Sequence, residues 1–243
     1  MKILITNDDG IRAHGIARLA RAAKEFGEVW VVAPDTERSA ASHSVTLRHP
    51  LDVYPIKDFE VEGVKAFSCS GMPADCVRVG GLNIVPGGPD VVLSGINKGY
   101  NLAGDIQYSA TTGGAFEAAF QGYHAIAFSE GFEEPHEVTD EYLPQILKKL
   151  LDIPLPAGHI HNVNFPQIPL SECKGVLYDR TVSPNMYYED RYKVIEELDN
   201  GGLRYMVDGT PRLVAQEGTD FQAIIDGYVS VGIVNNVGYD LSK

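Results

Sequence analysis

Short, almost wholly apolar runs alternate with stretches in which apolar residues recur every third or fourth position through the first two thirds of the chain. KILIT (2–6), EVWVVAP (28–34), PDVVLSGIN (89–97) and HAIAFSE (124–130) are runs of the first kind, which predict strands buried on both faces. Between the first two, GIARLARAAKEFG sets Ile16, Leu19, Ala20, Ala23 and Phe26 on one helical face, with Gly27 as its expected terminator. MPADCVRVGGLNI (72–84) and TTGGAFEAAFQG (111–122) also read as helices, the former with Pro73 in its first turn. EVTDEYLPQILKKLLD (137–152) is an amphipathic helix containing Pro144, and HIHNVNFP (159–166) is a further strand. Strand and helix in regular alternation predict an α/β fold, a Rossmann-like, doubly wound, mostly parallel sheet.

Two stretches break the rhythm. Residues 45–68, with shorter alternation in VTLRHPLDVYPI and VEGVKAFSCSG, are expected to form a hairpin excursion from the main sheet. Residues 167–215 are tyrosine-rich, polar and irregular, with a hairpin hint at LDNGGLRYMVDGT, and suit an arm making an oligomer contact. TDFQAIIDGYVSVGIV (219–234) closes the pattern with a short helix and a strand placed to rejoin the sheet. Residues 1–243 are read as a single domain, which suits their number.

Composition narrows the partners. The formal net charge is -13, from 33 acidic and 20 basic residues, so a long phosphate backbone is repelled and no long nucleic acid is expected to bind. No apolar run approaches the ~20 residues that span a bilayer, and no membrane partner is expected. The first eight residues form a strand-like run meeting acid, without a leader pattern, so a cytoplasmic location is expected. Three cysteines (Cys69, Cys76, Cys173) form no CxxC and cannot all pair, which suits a reducing compartment.

In an open α/β sheet, ligands bind beyond the carboxyl ends of the strands. Asp8 and Asp9 stand just past KILIT, and Gly10 frees the backbone so that both carboxylates can turn to one point. Ser39 follows EVWVVAP, and Asn97 ends PDVVLSGIN. Carboxylate, hydroxyl and amide oxygens are hard donors suited to Mg²⁺ or Mn²⁺. The seven histidines form no HExxH or Cys/His cluster, so a zinc site is not expected. Taken singly, a DDG is more often a solvated turn, and Ser39 or Asn97 a loop former. In KGYNLAGDIQYSATTGG, Ser109, Thr111 and Thr112 mark a helix start, a place that serves either as a phosphate cradle or as a simple N-cap. Neither GxxxxGK[ST] nor a GxGxxG after the first strand is present.

ILITNDDGIRAHGI, VVAPDTERSAASHSVTL, GMPADCVRVGGLNI, PDVVLSGINKGYNLAGDIQYSATTGGAFEAA and TDFQAIIDGYVSV together resemble the SurE family of survival proteins, in the family's order and over nearly the whole chain. The resemblance implies a divalent-metal-dependent 5'-nucleotidase acting on nucleoside 5'-monophosphates, with 3'-monophosphates and polyphosphate as further substrates. It implies one Mg²⁺ or Mn²⁺ per subunit held by Asp8, Asp9, Ser39 and Asn97. Asp8, Asp9 and Ser109 are then the catalytic candidates, and Asn97, Ser109, Thr111, Ser39 and His43 the substrate and phosphate contacts. It also implies an extended hairpin and a C-terminal arm that join subunits as a homodimer or homotetramer. Ala40, His43, Ala110 and Thr112 depart from the family's usual residues, which bears on rate and substrate preference more than on the reaction.

Two other functions stay open from the residues alone. One is a response-regulator-like Mg²⁺-binding module, which needs an aspartate acceptor where this chain has Asn97. The other is a nucleotide sensor without hydrolysis. The adjacent Asp8–Asp9 pair also differs from the Asp-x-Asp of haloacid-dehalogenase phosphatases and fits shared coordination better.

Overall fold

The computed structural model describes residues 1–134 and 136–237. The last six residues, part of the single domain read from sequence, lie outside the described residues. In chain order the elements begin with β1 (Lys2–Thr6), α1 (His14–Ala23), β2 (Glu28–Pro34), β3 (Val53–Ile56), β4 (Lys65–Cys69) and α2 (Pro73–Val79). β5 (Val91–Lys98), α3 (Ala110–Phe120), β6 (His124–Glu130), α4 (Glu137–Leu150) and β7 (Ile160–Phe165) follow. The remainder holds β8 (Val176–Arg180), β9 (Tyr188–Glu189), β10 (Tyr192–Glu197), β11 (Leu203–Val207), β12 (Thr210–Pro211), α5 (Asp220–Ile225) and β13 (Val229–Val234).

Nine strands form one sheet in the order β3-β4-β2-β1-β5-β6-β7-β13-β8. The six central strands, β4, β2, β1, β5, β6 and β7, run parallel to one another, with Ile3 level with Val29 on one side and Val91 on the other. The strand period of two divides β1 between two cores. Ile3 and Ile5 join the layer under α1 and α4, with Leu19, Ala20, Ile146 and Leu147. Leu4 joins the opposite layer under α2 and α3, with Val77, Ala115 and Phe116. Both faces of the sheet are therefore covered, which is why its strands read as unbroken apolar runs. No helix among the described residues is long and apolar enough to cross a membrane.

The two irregular stretches are more regular than their patterning. β3 and β4, from the 45–68 hairpin, pair antiparallel with each other, and β4 also runs parallel to β2, so this hairpin widens the sheet instead of leaving it. β8, inside the arm read at 167–215, joins the opposite edge beside β13, while β13 returns antiparallel to β7. What projects is the rest of the arm, a β10–β11 hairpin and a short β9–β12 pair. α1 stops at Ala23, and turns through Glu25 and Phe26 carry the chain onward. Gly27 therefore does not terminate the helix; a Cβ there would lie 2.2 Å from the Met1 carbonyl oxygen, so the glycine lets β2 enter beside β1.

Candidate active site

At the carboxyl end of β1 the chain makes a tight turn. Gly10 N donates to Asn7 Oδ1 (3.2 Å), Asn7 Nδ2 donates to Gly10 O (3.0 Å), and Gly10 adopts φ 101°, where a side chain would be strained. The turn turns Asp8 and Asp9 toward one cavity of about 570 Å³. Ser39 from the β2–β3 connection, Asn97 and Lys98 from the end of β5, and Ser109 before α3 line the same cavity. The strands concerned, β2, β1 and β5, are immediate neighbours in the sheet.

Each group is anchored. Asp8 is buried, and Thr111 Oγ1 donates to its Oδ1 at 2.5 Å. Lys98 N donates to Asp9 Oδ2 (3.3 Å). Asn97 Nδ2 donates to Gly99 O (2.8 Å), which leaves the amide oxygen Oδ1 as its uncommitted atom. Ser39 Oγ donates to Glu37 Oε1 (2.7 Å). Ser109 caps α3, its Oγ accepting from Thr112 N (3.1 Å), so its own hydroxyl proton remains for a ligand. Thr111 is wholly buried behind Asp8 and is absent from the cavity wall. His43 also stands outside the lining: its Nε2 lies 2.9 Å from Glu117 Oε2 and its ring stacks on Phe120.

Burial pushes the Asp8 carboxyl up to about 7, against the Thr111 hydrogen bond, which lowers it, and with the Asp9 charge adding to the rise. Burial raises Asp9 too, with Glu37 contributing and the Lys98 backbone opposing. Asp105 rises to about 6 through burial and the charge of Asp190. Among the described residues, no three His, Cys, Asp or Glu side chains gather as a metal-binding group. The donor set is instead two adjacent, largely buried carboxylates with neutral hydroxyl and amide oxygens beside them. Such a set holds negative charge that its own hydrogen bonds do not neutralise, and it fits a hard divalent cation.

The model of the family described as survival protein SurE matches residues 3–189. The chain belongs to the SurE family. A protein of Mesorhizobium japonicum named 5'-nucleotidase SurE is 40% identical over 241 residues, covering 95% of this chain and 92% of that one. An Aeromonas hydrophila protein of the same name is 39% identical over 233 residues. The crystal structure of the SurE protein from Aquifex aeolicus superposes with a TM-score of 0.84 at 35% identity, covering 100% of this chain and 96% of that one.

This SurE-family cavity also contains residues that its sequence motifs do not single out. Glu37, Asn101, Asp105, Tyr108, Phe132, Tyr188 and Asp190 all reach it. Asn101 is fastened on several sides: its N donates to Asn164 Oδ1 (2.9 Å), its Nδ2 to Ser129 Oγ (2.8 Å), and its carbonyl accepts from Asn162 Nδ2 (2.9 Å) and Asn164 Nδ2 (3.1 Å). Asn101 and Asp105 lie in a loop leaving a core strand at the ligand edge, and that position was the available signal. Tyr188 and Asp190 descend from the arm, far along the chain, and carry no local signal.

Proposed function

We infer that this SurE-family chain is a 5'-nucleotidase, hydrolysing nucleoside 5'-monophosphates to nucleoside and phosphate, with 3'-monophosphates and polyphosphate as further substrates. The observation that carries the reading is the adjacent pair of buried Asp8 and half-buried Asp9, facing the same cavity as Ser109 at the N-terminus of α3. One divalent ion per subunit, Mg²⁺ or Mn²⁺, belongs with Asp8, Asp9, Asn97 and Ser39. The chemistry such an ion supplies when bound is polarisation of a phosphoryl oxygen and acidification of water. Ser109 donates its hydroxyl to the phosphoryl oxygens where charge accumulates, and of the first-turn amides of α3, those of Ala110 and Thr111 remain to join it, those of Thr112 and Gly113 being taken by Ser109. Lys98 adds positive charge beside them. Thr111 holds Asp8 in one rotamer. Tyr108, Phe132 and Tyr188 provide flat faces for a nucleoside in a cavity of ordinary ligand size.

The subunits are read as associating through the arm into a homodimer or homotetramer, because Tyr192, Val194, Ile195, Tyr205, Met206 and Val207 on the β10–β11 hairpin are all exposed apolar groups. The three free thiols favour a cytoplasmic setting.

The direct test is phosphate release from AMP and GMP, with and without Mg²⁺ or Mn²⁺, in Asp8→Asn and Asp9→Asn. Each substitution is expected to lower metal-stimulated turnover by about 10³-fold or more, the scale of losing a charge-stabilising group. Turnover equal to that of the unaltered protein in either variant refutes the reading.

A further inference from the structure

The β2–β3 connection, residues 35–52, brings Ser39 to the cavity without any regular element to hold it. Within it, Ala40 (φ 54°) and Ser42 (φ 53°) both occupy left-handed backbone. Non-glycine residues stay there only where surrounding contacts over-determine the conformation. Upstream, the contact is Arg38 N donating to Asp8 O at 2.7 Å. Downstream, Ser42 N donates to Tyr108 O (2.9 Å) and His43 Nε2 meets Glu117 Oε2 (2.9 Å), and beyond them Thr46 donates through its N and Oγ1 to the Asp75 carboxylate (2.8–3.1 Å).

Glu117 is a prepared acceptor. It sits on α3 and is itself buried, and Gln121 Nε2 donates to its Oε1 (2.8 Å) while Arg78 Nε stands 3.8 Å away. The His43 ring also stacks on Phe120 of the same helix, with centroids 5.6 Å apart and planes 22° from parallel. The loop lies directly on the helix backbone here, since a Cβ on Gly113 would stand 2.5 Å from Ser42 O and 3.0 Å from His43 Cα. The same helix, near its N-terminus, holds Asp8 through Thr111. One rigid helix thus meets both walls of the cavity.

We propose that His43 is a positioning residue: acting through Glu117, it registers the Ser39-bearing loop against α3, so that Ser39 stands at a fixed place relative to Asp8 and Asp9. It stands outside the cavity lining. The functional side of this inference rests on the reading of the cavity as a divalent-cation and nucleotide site. Its structural side does not.

Amide hydrogen exchange over residues 37–44 of the metal-free protein tests the latch directly. In His43→Ala, exchange there is expected to speed up by about tenfold, with the rest of the chain unchanged. His43→Gln, whose amide N–H can still donate to Glu117, is expected to stay within about twofold of the unaltered protein. Unchanged exchange in His43→Ala overturns the proposal. On the same proteins, Mn²⁺ titrated calorimetrically and the KM for AMP are each expected to weaken about fivefold in His43→Ala, with kcat at saturation within about twofold and recovery in His43→Gln. Faster exchange with unaltered Mn²⁺ affinity and KM also overturns it, because the loop would then be held to no purpose at the site. If the unaltered protein neither binds Mn²⁺ nor hydrolyses AMP, the reading of the site has failed instead, and the exchange measurement alone decides the latch.

Discussion

At the scale of single residues, the site is built by tying charged groups down before any ligand arrives. Asp8 is the clearest case. It is buried with a like charge next to it in sequence, and Thr111 Oγ1 is the side chain that donates to it. A hydrogen bond to a charged group contributes about 1.5–3 kcal/mol, and it also fixes which rotamer the carboxylate holds. Thr111→Val keeps the shape and removes the donor. The expected result is a fall in kcat/KM for AMP of about tenfold to a hundredfold, together with a melting temperature lower by about 3–10 °C, because the buried carboxylate loses its donor. Thr111→Ser should recover most of the activity. Steady-state phosphate release across the three proteins measures this, and an unaffected Thr111→Val would mean that Asp8 needs no such fastening. The family resemblance implies that Thr111 is a phosphate contact, and it stands at the expected helix start. That a hydroxyl there faces a carboxylate and not a ligand depends on α3 packing over β1, which no local pattern encodes.

At the scale of elements, the parallel strands and their helices were legible because burial on both faces leaves an unmistakable apolar run. β7 shows the limit. Alternation along HIHNVNFP sets His159 and His161 on one face of a strand, where solvent-facing or capped imidazoles are the commoner outcome. His159 is half-buried and capped on both nitrogens, Nδ1 against Ala157 O (3.0 Å) and Nε2 against Asn235 Nδ2 (2.8 Å), but His161 is buried. Its ring stands 5.6 Å from that of His124 on β6, and among the described residues neither ring nitrogen has a hydrogen-bond partner. A polar side chain in the core imitates a surface position when only alternation is read. The edges failed for a related reason. β3, β4 and β8 are only partly buried, so their apolar signal is weak, and sheet membership depends on partners distant in sequence. His161 also makes the fold acid-sensitive. Burial and the neighbouring His124 push its pKa down to about 4 from an ordinary value near 6.5. Between those values the unfolded chain binds a proton that the folded chain refuses, so this contribution to stability is complete above about pH 6.5 and is lost as pH falls toward 4. His161→Leu is expected to lower the melting temperature less between pH 7.5 and 4.5 than the unaltered protein does. Thermal melts at both pH values measure the difference, and equal losses in the two proteins would exclude His161 as the cause.

At the scale of the whole molecule, charge opposes the substrate that the cavity is read to take. The chain carries a formal -13, and Glu37, Asp105 and Asp190 put part of that charge at the cavity itself. A nucleoside monophosphate is a dianion near neutral pH, so its approach runs against the field of the protein until it reaches Lys98, the α3 N-terminus and whatever cation the aspartates hold. Long-range repulsion between exposed charges is screened over about 10 Å at 0.1 M salt, while contacts inside a partly enclosed cavity are screened much less. The two ranges therefore respond differently to ionic strength. Raising a non-coordinating salt from about 10 to 150 mM, with the metal ion saturating, should raise kcat/KM for AMP by a few-fold and leave kcat nearly constant. An enzyme that draws phosphates in along a basic surface gives the opposite slope. The sign is also informative about the arm, because Asp190 descends from it onto the cavity beside Tyr188. Asp190→Asn should flatten the salt dependence and raise kcat/KM at low salt, whereas a surface charge of equal size far from the cavity, such as Glu141→Gln on α4, should do neither. Initial rates at several salt concentrations separate these cases, and a kcat/KM that falls steadily with salt in the unaltered protein would show that local attraction outweighs the net field.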